Sequence, residues 1–247
     1  MSSTWNYIFR RVLYLIPVLL GVCFLIFFLF NVVAGDPTGI LLGKHASASQ
    51  MAELREQLGL NKPLIAQYFD VVKSAFTFDF GRSWATKQQI SQMIAQGAIP
   101  SLAVTLPGFF LATVVSILLA TIVAYFRGKG IDLFIRVITI GMMSISSLVY
   151  IMVFQWLFAF ELGWFEISGF EYSFPEVMPY ITLPIIIWIV LSLGPDTRFY
   201  RTLILDEMYQ DYVRTARAKG VSEKAILLKH VLRNAMIPII TYTVVQL

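Results

Sequence analysis

The side chains that could do chemistry in this 247-residue sequence are few, and their spacing excludes most reactions. His45 and His230 are the only histidines, and they lie far apart. Neither belongs to an HExxH run, and no GxSxG elbow supplies a serine nucleophile. A serine hydrolase needs its base beside its nucleophile, and the apolar segments offer no such histidine. His45 therefore reads as a loop residue and His230 as a helix-surface residue. Cys23 is the one cysteine, so neither an intrachain disulfide nor a cysteine-built zinc site can form. No GxxxxGK[ST] loop is present to cradle ATP phosphates. The expectation is a chain with no enzymatic activity, no metal and no cofactor of its own.

The informative chemistry is the basic stretch 196–234, with Arg198, Arg201, Arg214, Arg217, Lys219, Lys224, Lys229 and Arg233. Phe199, Leu203, Met208, Tyr212 and Ala216 recur about one turn apart, which predicts a helix over Thr197–Lys219. Lys219 and Gly220 are a helix stop, a cation followed by a residue free to take positive φ. Ser222 and Glu223 then read as the N-cap and acidic first turn of a second helix, with Ile226, Leu227, Val231 and Ala235 on one face. The predicted unit is helix, glycine turn, helix.

The elements that must position this unit are membrane spans. The chain is 57% hydrophobic and 14% charged, with mean hydropathy +0.73. A soluble domain is nearer about 25% charged. Too few charges remain to cover a water-facing globule, so soluble enzymes, disordered chains and disulfide scaffolds are set aside. Residues 12–33 carry no charge and exceed the length of a signal-peptide core. They predict a retained first span. Residues 101–126, 133–160 and 179–195 predict three more, and 235–247 begin a fifth. The single charge of the third span, Arg136, is expected to snorkel to the headgroups. Almost no titratable group is expected within the spans; Asn31 and Gln155 are read as interhelical hydrogen-bonding residues. The stretch 34–100 is expected outside as a loop region with short helices at Met51–Leu60 and Pro63–Phe76. Gly35, Gly39 and Gly43 follow one another at GxxxG spacing but read as loop glycines. The fold class is all-α, a polytopic transmembrane helical bundle of four full spans plus a partial fifth.

Orientation follows from charge. The N-terminal segment 1–11 with Arg10 and Arg11, the pair Arg127/Lys129 and the basic stretch 196–234 fall on one side. The glutamate-only loop 161–178 and the loop 34–100 fall on the other. Basic segments stay cytoplasmic, which predicts a multi-pass plasma-membrane (inner-membrane) protein with its N-terminus inside. The helix–glycine–helix unit is tied to apolar sequence at both ends. That tether argues against a DNA-reading helix-turn-helix, and no nucleic-acid partner is expected. Contact with membrane lipid is expected. Two readings of the basic unit stand side by side. One is a docking element for a cytoplasmic partner that supplies an energy source; the other is a membrane-anchored regulatory or scaffold protein holding lipid or a signalling partner.

The run Asp211-Tyr-Val-Arg-Thr-Ala-Arg-Ala-Lys-Gly220, followed by His230-Val-Leu-Arg-Asn-Ala235 and Pro238, resembles the cytoplasmic loop of ABC-transporter permeases, in particular the dipeptide/oligopeptide and nickel import branch. Arg10-Arg11, Ile16-Pro17 through Gly21, Gly35-Asp36-Pro37, Leu58 through Pro63 and Phe80-Gly81-Arg82-Ser83 agree in order and spacing. The wider family reads Glu-Ala-Ala, three residues, Gly, then nine residues to Ile-x-Leu-Pro. Aligned on Gly220, only Ala216, Gly220 and Leu232 match that wider pattern, so a glutamate contact cannot be carried over. The resemblance implies an importer permease subunit forming half of a pathway for peptides or a related small solute. It implies that Tyr212, Arg214, Thr215, Ala216, Arg217, Ala218, Lys219 and Gly220 dock and couple to a cytoplasmic ATP-binding subunit, which would hold the ATP. It further implies a second homologous permease subunit and an external solute-binding protein. Family members continue through a fifth and sixth span. The expectation is therefore a form truncated or split inside the fifth span, or an incomplete sequence.

Overall fold

A computed structural model describes residues 2–33, 38, 42, 47–83, 86 and 88–246. The sequence-predicted features at Gly35-Asp36-Pro37, Gly39, Gly43, His45 and Leu247 lie outside the described residues. The described chain is helical, and no strand longer than the single bridge between Arg82 and Gln89 forms among these residues. Two compact units divide near Ala98.

The first unit starts with α1, Ser2–Phe28, continued by a π-type stretch, Leu29–Val33. Most of its apolar side chains are exposed, as a helix in lipid or against another subunit requires. Helix α2, Ala48–Gln57, begins with a capping box: the Ser47 hydroxyl accepts from Gln50 N–H and the Gln50 side chain accepts from Ser47 N–H. It stops at Gly59, whose φ of 68° lets Leu60 N–H reach back to Arg55. Helix α3, Leu64–Thr77, sits on α1 through Tyr68. The Tyr68 hydroxyl donates to the Leu20 carbonyl at 3.0 Å, and its ring meets Phe24 and Phe27 edge-on.

The second unit holds most of α4, Ile90–Tyr125, whose first turns belong to the first unit. Then come α5, Gly130–Met143, and α6, Ser147–Phe154, which continues as a π-type stretch to Glu161. Helix α7 runs Met178–Met208, α8 runs Asp211–Ala218 and α9 is Glu223–Ala225. A π-type stretch, Ile226–Val231, leads into α10, Leu232–Gln246. By length and apolarity α1, α4 and α7 can each cross a membrane, and α5 with α6 makes a fourth candidate only if the bent pair is one span.

Three features differ from the sequence reading. The expected span 133–160 is not straight: α5 and α6 meet at 91°. The cause is a serine break. The Ser144 hydroxyl and amide both close the last turn of α5, Ser146 is extended (φ −60°, ψ 141°), and Tyr150 O–H ties the bend to the Met142 carbonyl at 3.1 Å. The predicted span 179–195 and the start of the predicted Thr197–Lys219 helix are one helix, which runs through Pro184 and Pro195 to Met208. The helix expected over Thr197–Lys219 is two, parted at Tyr209–Gln210. Gln210 is extended (φ −69°, ψ 153°), and Asp211 favours a fresh N-terminus.

One core positions the basic unit. Ala120 and Ala124 of α4, Tyr200, Ile204 and Met208 of α7, Val213 of α8, and Ile226, Leu227 and Val231 beyond the turn pack together with Ala235 and Ile239 of α10. Burying each such Leu, Ile or Val is worth about 1.5–3 kcal/mol.

Candidate functional site

The site is built around the α8 helix and its stop. Helix α8 is short, and isolated it would be marginal in water. Val213, fully buried, anchors it, and Tyr212 and Ala216 lie partly buried against the same core. The Tyr212 hydroxyl donates to Glu207 Oε2 at 2.7 Å, bridging the break between α7 and α8. Burial, then that hydrogen bond, raises the Tyr212 phenol above its usual range. The hydroxyl therefore stays protonated as a donor at neutral pH.

At the far end, Gly220 has φ 76°. Its N–H bonds to the Arg217 carbonyl at 2.9 Å, and Val221 N–H bonds to the Ala216 carbonyl at 3.2 Å. This is a Schellman stop, in which a left-handed glycine satisfies carbonyls that the helix end would leave bare. Two residues later the Ser222 hydroxyl accepts from Ala225 N–H and opens the next helix. An ion pair staples the turn: Arg217 Nε to Glu223 Oε1 at 2.6 Å and Nη2 to Oε2 at 3.1 Å. That bidentate bond lowers the Glu223 carboxyl below its usual range and raises the Arg217 guanidinium above its own.

The eight sequence-predicted residues thus divide. Arg214, Thr215, Ala218, Lys219 and Gly220 are exposed. Arg214 makes one long contact, 3.6 Å to Asp211, and the Thr215 hydroxyl bonds its own helix at the Asp211 carbonyl. Tyr212 and Ala216 face the core, and Arg217 is committed to Glu223. A partner would meet Arg214, Ala218 and Lys219 before the others.

Sequence reasoning missed Asp132. This carboxylate is 2% exposed at the start of α5 and pairs with Arg201 of α7 at 2.9 Å and Arg136 at 3.2 Å. It also accepts from Gly128 N–H at 3.0 Å. Arg136 accordingly serves a buried carboxylate as well as facing outward, which corrects the expectation of simple snorkelling. The signal available in the sequence was an acid four residues before Arg136, at ion-pair spacing. Asp196, just past the predicted span 179–195, is also buried, 7% exposed inside α7.

The polar residues flagged in the spans lie elsewhere. Asn31, with Cys23, Gln67 and Asp70, lines a groove of about 630 Å³ within the first unit. Gln155 lines a cavity of about 230 Å³ in the second, with Glu166, Ser168 and Tyr180. His230 is exposed on the π-type stretch after the turn. No group of three His, Cys, Asp or Glu side chains that could hold a metal occurs among the described residues.

Comparison with known proteins agrees with this architecture. Residues 112–247 match the family described as binding-protein-dependent transport system inner membrane component, and residues 4–105 match its N-terminal membrane component. The glutathione transport system permease protein GsiC of Salmonella typhimurium is 34% identical over 236 residues, covering 96% of this chain and 76% of the relative. The proteins of the same description from Salmonella choleraesuis and Escherichia coli K12 show the same identity and coverage. These relatives are transport permeases rather than enzymes, and nothing in them supports the scaffold alternative. A multi-pass helical chain with this match along nearly its whole length belongs to the binding-protein-dependent transport family, as a permease of an ABC importer.

Proposed function

We propose that this permease forms half of a solute pathway beside a second, similar permease, and that the turn from Asp211 to Glu223 is where a cytoplasmic ATPase grips it. The ATP belongs to that subunit; this chain holds no cofactor and performs no catalysis. The N-terminus lies in the cytoplasm of an inner-membrane protein, and the loops 34–100 and 161–178 face an external solute-binding protein. The span boundaries are those expected from the sequence, with α5 and α6 together as the third. The solute is a peptide or a compound of similar size and chemistry; the named relatives carry glutathione.

One observation carries the coupling reading. A polar, exposed helix end is fixed from beneath by Val213 and closed by the Gly220 stop, so a push on it moves the core rather than bending a loop. Exposed Arg214 and Lys219 supply the charge a partner cleft can select. The test is an importer purified through this chain and reconstituted in vesicles. Replacing Gly220 with Val should leave membrane insertion intact and separate ATP hydrolysis from solute uptake. Normal uptake per ATP in Gly220→Val would refute the coupling role. Retention of the ATPase by a variant with Arg214, Ala218 and Lys219 all changed to Glu would refute the docking surface.

A further inference from the structure

Between α4 and α5 a short turn carries a guanidinium that docking does not use. Arg127 lies over the ring of Tyr209, 5.3 Å from its centroid. Its Nη1 is buried and donates to no acceptor. Tyr209 is itself 65% exposed and stands in the two-residue break between α7 and α8. The same turn is tied to α7 through α5, since Gly128 N–H and Arg201 both bond the Asp132 carboxylate. The turn after α4 therefore lies on the break itself and, through Asp132, is tied to α7 before it.

The break is the place where α8 can pivot on α7. The Tyr212 O–H to Glu207 bond bridges it, and the Arg127 guanidinium lies on the ring of Tyr209 within it. A cation on an aromatic face has a preferred geometry and resists sliding. We propose that Arg127 is a positioning residue for ATP coupling: stacked on Tyr209, it sets the pivot so that displacement of the Gly220 turn reaches the bent α5–α6 pair instead of being absorbed at residues 209–210. This rests on the coupling role proposed above.

The test uses the importer purified from native membranes through a tag on this chain, with Cys23→Ser and spin labels at Lys224 and Leu133, both exposed. The label-to-label distance is compared without nucleotide and with vanadate-trapped ADP, alongside the ATPase rate. In the parent the two labels move together. Arg127→Gln and Tyr209→Leu should shift and broaden that distance on trapping while the ATPase rate stays at the parent level. Tyr209→Phe, which keeps the ring, should behave as the parent. Three results would overturn the proposal: an unchanged distance in Arg127→Gln and Tyr209→Leu, a Tyr209→Phe shift as large as that of Tyr209→Leu, or loss of the ATPase from both variants, which makes the pair a docking element. Absence of an ATPase from the parent preparation would instead refute the coupling role on which the proposal rests. Should Arg127→Gln fail to fold, Tyr209→Leu carries the test, because that side chain is exposed.

Discussion

Gly220 excludes other residues through its backbone rather than through crowding. A Cβ built there meets nothing within 4 Å, but φ is 76°. Alanine should therefore cost about 1–2 kcal/mol in the stability of the turn, and asparagine, which tolerates the left-handed region, less. Thermal midpoints of the purified complex in the order Gly, Asn, Ala, Val would check this. The ion pair across the turn has a defined pH window. Glu223 has a lowered pKa in the folded chain, so its contribution is fully present above its ordinary value of 4.5 and fades as pH falls through the folded value. With the Glu223 side chain 54% exposed, the effect stays within about 1 kcal/mol. The difference in midpoint between the parent and Glu223→Gln should be constant from about pH 8 to 6 and shrink in acid.

At the scale of elements, α5 and α7 are held by two unlike contacts. One is the Asp132–Arg201 pair. Removing one partner of a buried pair costs about 3–5 kcal/mol, so Asp132→Asn should sharply reduce folded protein in membranes, measured as the monodisperse fraction after extraction. The other is close approach at Gly194, where an added Cβ would lie 2.9 Å from Met143 Cγ and 3.1 Å from the Thr139 carbonyl oxygen. The methionine can yield, but the carbonyl cannot. Gly194→Val should destabilise by about 1–3 kcal/mol through overpacking, whereas Gly21→Val on α1, where nothing lies within 4 Å, should not. Midpoints for the two valines compare crowded and open helix faces directly.

For the whole molecule, the proposed orientation rests on charge. The glutamate-only loop 161–178 leads into α7, and the basic stretch 196–234 begins in its last turns and continues beyond it, so the two ends of one helix carry opposite signs. Single cysteines in a Cys23→Ser background should report it. A cysteine at Glu171 should react with an impermeant reagent on intact cells, and one at Lys219 only after the membrane is opened. The reverse pattern would place the ATPase site outside and defeat the coupling proposal.

Much of the fold was legible because it depends on local chemistry. Uncharged runs announced apolar helices, since unpaired backbone is too costly in lipid. The Lys219-Gly220 stop and the Ser222 cap were readable because each acts within one helical turn. The resemblance lay in the spacing from Asp211 to Pro238, which is also sequence-local. Tertiary structure alone decided the rest. The 91° bend at Ser144–Ser146 depends on a tyrosine reaching across it. The break at Tyr209–Gln210 interrupts a periodicity that continued unbroken in the sequence, because Val213 is drawn into a core shared with α4 and α10. Asp132 finds Arg201 sixty-nine positions away. Arg217, a docking candidate, is also a staple, because the chain reverses at Gly220 and brings Glu223 to it. Spacing along a chain determines which helices form, but burial and ion pairing join residues that only folding makes neighbours.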